Sequence, residues 1–112
     1  MDVNTFADDL LHALVDVAVF ERIALHTEGP VANGYAYLEE NVFLRFYFNE
    51  MTGTIAFALI EHQQRTWGID YDNRRGWHEH PSDRPENHIA IEPLTIAEIV
   101  ARLKNVLKKN SE

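Results

Sequence analysis

The fold is decided by residues 35–71, which read YAYLEENVFLRFYFNEMTGTIAFALIEHQQRTWGIDY. Large apolar side chains recur here at every second position, as in Leu44, Phe46 and Phe48, and this alternation is typical of β-strands with one buried face. Short polar or glycine-containing segments divide the stretch into several strands. A parallel return needs a crossover of about a dozen residues or more, so strands joined this closely are predicted to pair as an antiparallel meander.

A helix is predicted on either side of this stretch in the chain. Residues 4–21 carry apolar side chains at helical spacing, and residues 23–27 then alternate as a first strand. Near the other end, Thr95 and Glu98 have the spacing of a capping box, and an apolar helical stripe follows them. Residues 1–112 are therefore expected to form a single α+β domain, a meander of about five strands with both helices packed on it.

Composition limits the classes of function. The chain has 112 residues, 46% of them hydrophobic, which suffices for one packed core. It has no cysteine, which excludes disulfides, thiolate nucleophiles and iron–sulfur clusters. No apolar run approaches the roughly 18 residues of a membrane span, and the first residues lack the basic region of a signal peptide. We expect a cytoplasmic protein without membrane contact.

The negative charge is concentrated in the first half of the chain. Ten basic and eighteen acidic residues give a net charge of −8, which disfavours binding to duplex DNA. Residues 1–61 contain Arg22 and Arg45 as their only cations, whereas residues 62–112 contain equal numbers of both signs. The acidic half could serve as the surface that a basic partner covers.

The chemistry is concentrated in one polar segment, residues 71–88. Its stretch 73–88 is predicted to be a long irregular loop, because it has two prolines and no apolar period. His78 and His80 would project to the same side of a locally extended chain, and His88 follows nearby. Imidazoles with pKa values near 6.5 suit the general acid–base cleavage of a phosphodiester.

Neighbouring side chains could support this chemistry. Asp72 could orient one imidazole ring, and Arg74 or Arg75 could hold a phosphate together with Asn73. We assign catalytic roles to His78, His80, His88 and Asp72, substrate binding to Asn73, Arg74 and Arg75, and neither a cofactor nor a metal ligand.

Two alternatives to acid–base catalysis stay open at this segment. His-x-His with a third ligand could bind a metal ion, and a polar loop can also be purely structural. An aromatic platform for stacking RNA bases would need cations among the aromatic side chains on one face, and along strand 65–71 only Arg65 qualifies. No nucleotide-binding glycine motif, hydrolase elbow or zincin motif occurs.

The same residues carry a family resemblance. The run from Arg65 through Tyr71-Asp72-Asn73 to His78-Glu79-His80-Pro81 and Asn87-His88-Ile89 resembles the TumE family, the small toxins of prokaryotic toxin–antitoxin modules. The resemblance spans roughly residues 33–107. In that family the histidines usually follow the Asp-Asn step sooner, often as an adjacent pair. The resemblance implies that the protein is a toxin and that its antitoxin is a separate partner protein. RNA cleavage is a hypothesis for the activity of this toxin.

Two functions therefore stand as expectations. The first is a toxin-like enzyme that cleaves RNA without a metal ion, through the histidine segment. The second is a non-catalytic domain that binds a protein partner through its long loop or an exposed sheet face. A homodimer is a further expectation, because a sheet with one open face can pair across a two-fold axis.

Overall fold

The computed structural model describes residues 1–110, which form two helices and seven strands. In chain order the elements are α1 (Val3–Val17), β1 (Arg22–Glu28), β2 (Val31–Glu39), β3 (Val42–Asn49), β4 (Thr54–Glu61), β5 (Gln64–Asp72), β6 (Gly76–His80), β7 (Ile89–Ala90) and α2 (Ile96–Asn110). The strands form one antiparallel sheet in sequence order, so the predicted α+β meander is confirmed, with seven strands in place of about five. Within residues 1–110, no helix is long and apolar enough to span a membrane.

Tight turns fix the register of the meander. His62 and Gln63 join β4 to β5 with φ angles of 51° and 71°, as a two-residue type I′ hairpin turn requires. Gly29 and Pro30 connect β1 to β2 just as closely, with Glu28 paired to Val31. Because such short turns allow only one register between neighbouring strands, alternate residues of each strand lie on opposite faces of the sheet.

Both helices cover the same face of the sheet. The buried core side chains come from α1 (Phe6, Leu10, Leu14), from the strands (Leu44, Phe46, Phe48, Ile55, Phe57, Leu59, Trp67, Ile69) and from α2 (Ile96, Ile99, Val100, Leu103, Val106). The Phe6 ring stacks on the Phe48 ring with centroids 4.7 Å apart. The core therefore lies between one sheet face and a layer of two helices.

The capping box at the start of α2 is confirmed. The Thr95 hydroxyl accepts a hydrogen bond from the Glu98 backbone N–H at 3.1 Å, and the Glu98 carboxylate accepts one from the Thr95 N–H at 2.9 Å. At the other end of the chain, Asp2 caps α1 by accepting from the Thr5 N–H at 2.7 Å. Each helix start is thus stabilised by a carboxylate close to its own backbone.

The prediction of an irregular loop over residues 73–88 is wrong for its first part. Asp72 accepts hydrogen bonds from the backbone N–H groups of Arg74 and Arg75, and Gly76 adopts a φ of 72° at the end of this turn. The chain then returns as β6 alongside β5 and pairs Asp72 with Gly76. The histidine segment is therefore part of the sheet, and only the stretch between β6 and β7 is a loop.

The opposite sheet face carries small side chains at its centre. Ala58 lies beside Arg45 on β3 and beside Gly68 on β5, and Ala56 lies beside Asp70. Among residues 1–110, neither helix packs over these positions. Small residues flanked by longer ones leave a shallow depression on this open face.

Candidate functional site

Strand alternation places His78 and His80 on the open face. Glu79 lies between them and points to the helical side, where its carboxylate accepts a hydrogen bond from Trp67 Nε1 at 3.0 Å and from Arg102 Nη1 at 2.7 Å. The expectation that His78 and His80 project to one side is confirmed, because β6 is extended. Both histidines are buried, with exposed fractions of 6% and 1%.

The third histidine joins them from the loop before β7. The His88 ring centroid lies 4.3 Å from that of His80 and 5.3 Å from that of His78. The three side chains can offer nitrogen atoms that all lie within 4.8 Å of one another, and His88 is the exposed member. The structure therefore brings together all three histidines that the sequence singled out.

The carboxylate of this cluster belongs to Asp70. Its Oδ2 atom lies 3.4 Å from His78 Nε2 and 3.2 Å from His80 Nε2, because β5 pairs Asp70 directly with His78. The prediction that Asp72 orients an imidazole ring is therefore wrong. The Asp72 carboxylate instead closes the β5–β6 turn, and its Oδ2 lies 3.5 Å from Arg75 Nε.

The three residues predicted to bind substrate have separate positions. The Asn73 side chain forms hydrogen bonds within the fold. Its Nδ2 donates to the Thr52 carbonyl at 3.1 Å, and its Oδ1 accepts from the Tyr71 hydroxyl at 3.3 Å. Arg75 borders the histidine cleft, while Arg74 lines a neighbouring depression. Only Arg75 of these three is thus placed beside the imidazoles.

Arg65, which was not predicted to be a site residue, lies against the histidine cluster. Arg65 Nη2 is 3.2 Å from His80 Nδ1, and the Pro85 carbonyl oxygen lies 3.1 Å from the same nitrogen. A register shift between Leu59 and Ile60 interrupts the alternation on β5 near Arg65, which brings the arginine beside Gly68. Strict alternation along β5 therefore does not predict the position of the Arg65 side chain.

Two side chains that border the cleft have shifted pKa values. The pKa of His88 is lowered from 6.5, first by partial loss of hydration and then by the nearby His80 and His78. The pKa of Asp72 is lowered from 3.8, mainly because the Arg75 backbone N–H donates to its carboxylate. At neutral pH, His88 is therefore an uncharged ring beside two buried imidazoles, and Asp72 is ionised.

The cluster opens into two adjoining clefts on the open face. One has a volume of about 400 Å³ and is bordered by the three histidines, Asp70, Asp72, Arg65 and Arg75. The other, of about 360 Å³, extends over Ala56 and Ala58 to Arg45 and Tyr35. Because Ala56, Arg65 and Asp70 border both clefts, they form one continuous groove across the sheet.

The groove interleaves aromatic side chains and cations across strands. Arg45 on β3 is the register partner of Tyr35 on β2, and Tyr35 is 40% exposed. Along strand 65–71 alone, only Arg65 could supply such a cation. Because Arg45 and Tyr35 are ten positions apart, their adjacency comes from hairpin register rather than from local spacing.

The donor set determines what the site could hold. Three imidazoles are nitrogen ligands suited to a divalent transition metal, and the arginines at the cleft suit an anion such as a phosphate. Comparisons with models of protein families, with curated proteins and with solved structures find no match for this chain.

Proposed function

We propose that this protein is the toxin-like component of a two-component module and cleaves single-stranded RNA at the histidine cluster. The observation that carries this proposal is the convergence of His78, His80 and His88 with Asp70 in an open cleft. The resemblance of this segment to the TumE family supports the toxin role and a separate antitoxin as partner.

The chemistry proposed for the site is attack by the neighbouring 2′-hydroxyl of the RNA. His88, which is exposed and reaches the cleft, accepts the proton of the 2′-hydroxyl as its oxygen forms a bond to phosphorus. The bond from phosphorus to the 5′ oxygen breaks, and an Nε2 proton from His78 passes to that leaving oxygen. The products are a 2′,3′-cyclic phosphate and a free 5′-hydroxyl, so the step consumes no water.

The arginines provide the electrostatic part of the proposal. Arg65 and Arg75 border the cleft that holds the histidines, where a phosphate would carry developing negative charge. Asp70 stabilises a protonated ring because its Oδ2 lies within 3.4 Å of both buried Nε2 atoms. The two arginines balance the two carboxylates, Asp70 and Asp72, that border the same cleft, so the cleft is less negative than the chain as a whole with its net charge of −8.

The groove explains why a single strand is the proposed substrate. From β6 to β2 it crosses four inter-strand spacings of roughly 4.8 Å, or about 19 Å. Its small floor residues admit an extended strand, with Arg45 available to a phosphate and Tyr35 to an unstacked base. In a duplex the bases are paired and stacked, so they would not be available to Tyr35.

The experiment is a cleavage assay with a labelled single-stranded RNA of mixed sequence. We expect cleavage by the wild-type chain and a loss of at least about 100-fold in His88→Ala, whose side chain is exposed and therefore dispensable for folding. His12→Ala removes an exposed histidine on α1, where alanine is compatible with the helix, and serves as the matched control. An all-deoxy strand should not be cleaved. Wild-type protein without activity, or His88→Ala with full activity, contradicts the proposal.

One observation favours the alternative function of a protein-interaction domain. Tyr35, Tyr37 and Phe43 form an aromatic cluster on the open face, with ring centroids 5.3–5.9 Å apart, and Arg22 lies over the Tyr37 ring. Tyr35 is exposed and the other two rings are partly exposed, and aromatic side chains beside an arginine are typical of protein interfaces. A chain that neither cleaves RNA nor slows growth on induced expression would support this alternative.

A further inference from the structure

The two buried histidines are held in a specific orientation by backbone carbonyls. His78 Nδ1 lies 3.3 Å from the Gly76 carbonyl oxygen, and His80 Nδ1 lies 3.1 Å from the Pro85 carbonyl oxygen. A carbonyl oxygen only accepts hydrogen bonds, so each contact favours a proton on Nδ1. In a neutral ring the lone pair is then on Nε2, which is the arrangement that metal-ligating histidines adopt.

The two Nε2 atoms converge on one carboxylate oxygen. They lie 3.4 Å and 3.2 Å from Asp70 Oδ2, so lone pairs on both nitrogens would face a third acceptor. A cation among these atoms resolves the conflict. Protons can serve this purpose, and so can one metal ion. The Arg65 guanidinium lies 3.2 Å from His80 Nδ1 and can only donate, so this contact favours a lone pair on Nδ1. Arg65 would lose this hydrogen bond when the metal binds to Nε2 and the proton is on Nδ1.

His88 completes a set of three nitrogen ligands. Ligands about 2.1 Å from a tetrahedral metal ion are roughly 3.4 Å apart, and the three histidines already offer nitrogens within 4.8 Å of one another. The nitrogens must come closer together to reach this spacing. The His88 ring can make this movement, because it is exposed, whereas His78 and His80 are fixed in β6. Asp70 offsets part of the ion's charge, and the open cleft leaves a fourth coordination position accessible.

We propose that His78, His80 and His88 bind one divalent transition-metal ion, with Zn²⁺ as the probe. Imidazole nitrogens favour zinc, copper, nickel and cobalt, whereas Mg²⁺ and Ca²⁺ require oxygen ligands. The site is mononuclear, with both buried histidines coordinating through Nε2 and their Nδ1–H groups on the Gly76 and Pro85 carbonyls.

The proposal has a consequence that rests on the proposed function. A nitrogen bound to a metal ion cannot take up or release a proton, so metal binding and acid–base cleavage exclude each other at these rings. Zn²⁺ should therefore inhibit RNA cleavage, and a chelator should restore it.

The test is calorimetric titration of the chelator-treated chain with ZnCl₂ and, separately, with MgCl₂, in the absence of RNA. We expect one equivalent of Zn²⁺ to bind, with a rise in Tm, and Mg²⁺ not to bind. His88→Ala should weaken Zn²⁺ binding at least about 100-fold while keeping the melting temperature of the metal-free chain. His12→Ala should bind like the wild type.

The possible outcomes separate the two proposals. Absence of Zn²⁺ binding, equal affinity for Mg²⁺, or unchanged affinity in His88→Ala overturns the metal site whatever the cleavage assay gives. Zn²⁺ binding by a chain that never cleaves RNA supports the metal site and contradicts the RNA-cleaving function. Cleavage that requires Zn²⁺ supports the metal site and contradicts the metal-free acid–base step.

Discussion

The link between Glu79 and Trp67 offers a quantitative test of how β6 is held in the sheet. Glu79 accepts hydrogen bonds from Trp67 Nε1 at 3.0 Å and from Arg102 at 2.7 Å, and Trp67 is completely buried. In Glu79→Leu the indole N–H loses its acceptor and has no access to water. The strand that carries the two buried histidines should then be bound less firmly to the helical layer.

The expected cost follows from these contacts. A buried donor left without a partner costs about 1–3 kcal/mol. The Arg102 pair adds less than about 1 kcal/mol, because the Arg102 side chain is 41% exposed and water screens the interaction. Since leucine regains some burial energy, we expect Glu79→Leu to lower the free energy of unfolding by about 2 kcal/mol. For a domain of this size the Tm should fall by about 8 °C.

The assay is chemical denaturation followed by far-ultraviolet circular dichroism. Glu79→Gln is the matched control, because its amide oxygen can still accept from the indole, and it should lose less than about 1 kcal/mol. A double-mutant cycle with Trp67→Phe isolates the hydrogen bond, and its coupling energy should exceed about 1 kcal/mol. Wild-type stability in Glu79→Leu, or a coupling energy near zero, would refute this account of β6.

Four further predictions concern other parts of the fold. Thr95→Ala should cost about 1 kcal/mol in denaturation experiments, because it removes the cap of α2, and an unchanged midpoint would contradict the cap. The Thr95 backbone N–H lowers the pKa of Glu98 below 4.5, so its stabilising effect is present above that pH and is lost as the pH falls through the lowered pKa. The difference in Tm between wild type and Glu98→Ala should accordingly narrow on acidification, and a constant difference would contradict the assignment. Leu103→Asp should prevent native-like melting, since it buries an unpaired charge in the core at a cost of several kcal/mol. Gly34→Ala should detach β1 in hydrogen-exchange measurements, because the new methyl group would overlap the Ala24 carbonyl oxygen, and full protection of β1 would show otherwise.

The meander and the capping box were predictable because their determinants are local. Period-two alternation and two-residue turns specify an antiparallel hairpin without reference to the rest of the chain. The strand β6 was not predictable in this way, because its sequence GWHEH is polar and gains its stability from pairing with β5 and from Glu79. The spacing of Asp72 and Gly76 around a three-residue turn was the one local signal of this hairpin.

The histidines of the site were predictable and its carboxylate was not. Positions i and i+2 share a face in any extended chain, so His78 and His80 needed no further information. Choosing between Asp70 and Asp72 requires the register of the β5–β6 hairpin, which pairs Asp70 with His78. Arg65 depends on a register shift in β5, which alternation along a single strand does not reveal.

If His78, His80 and His88 form one site, their rings should respond together to a bound metal ion, and NMR of the imidazole nitrogens measures this response. Long-range ¹H–¹⁵N spectra would be recorded before and after one equivalent of Zn²⁺. We predict that the Nε2 resonances of His78 and His80 and one ring nitrogen of His88 shift together, while the remaining three histidines, His12, His26 and His62, keep their spectra. Independent responses of the three rings, or a response centred on the other histidines, would contradict a shared site.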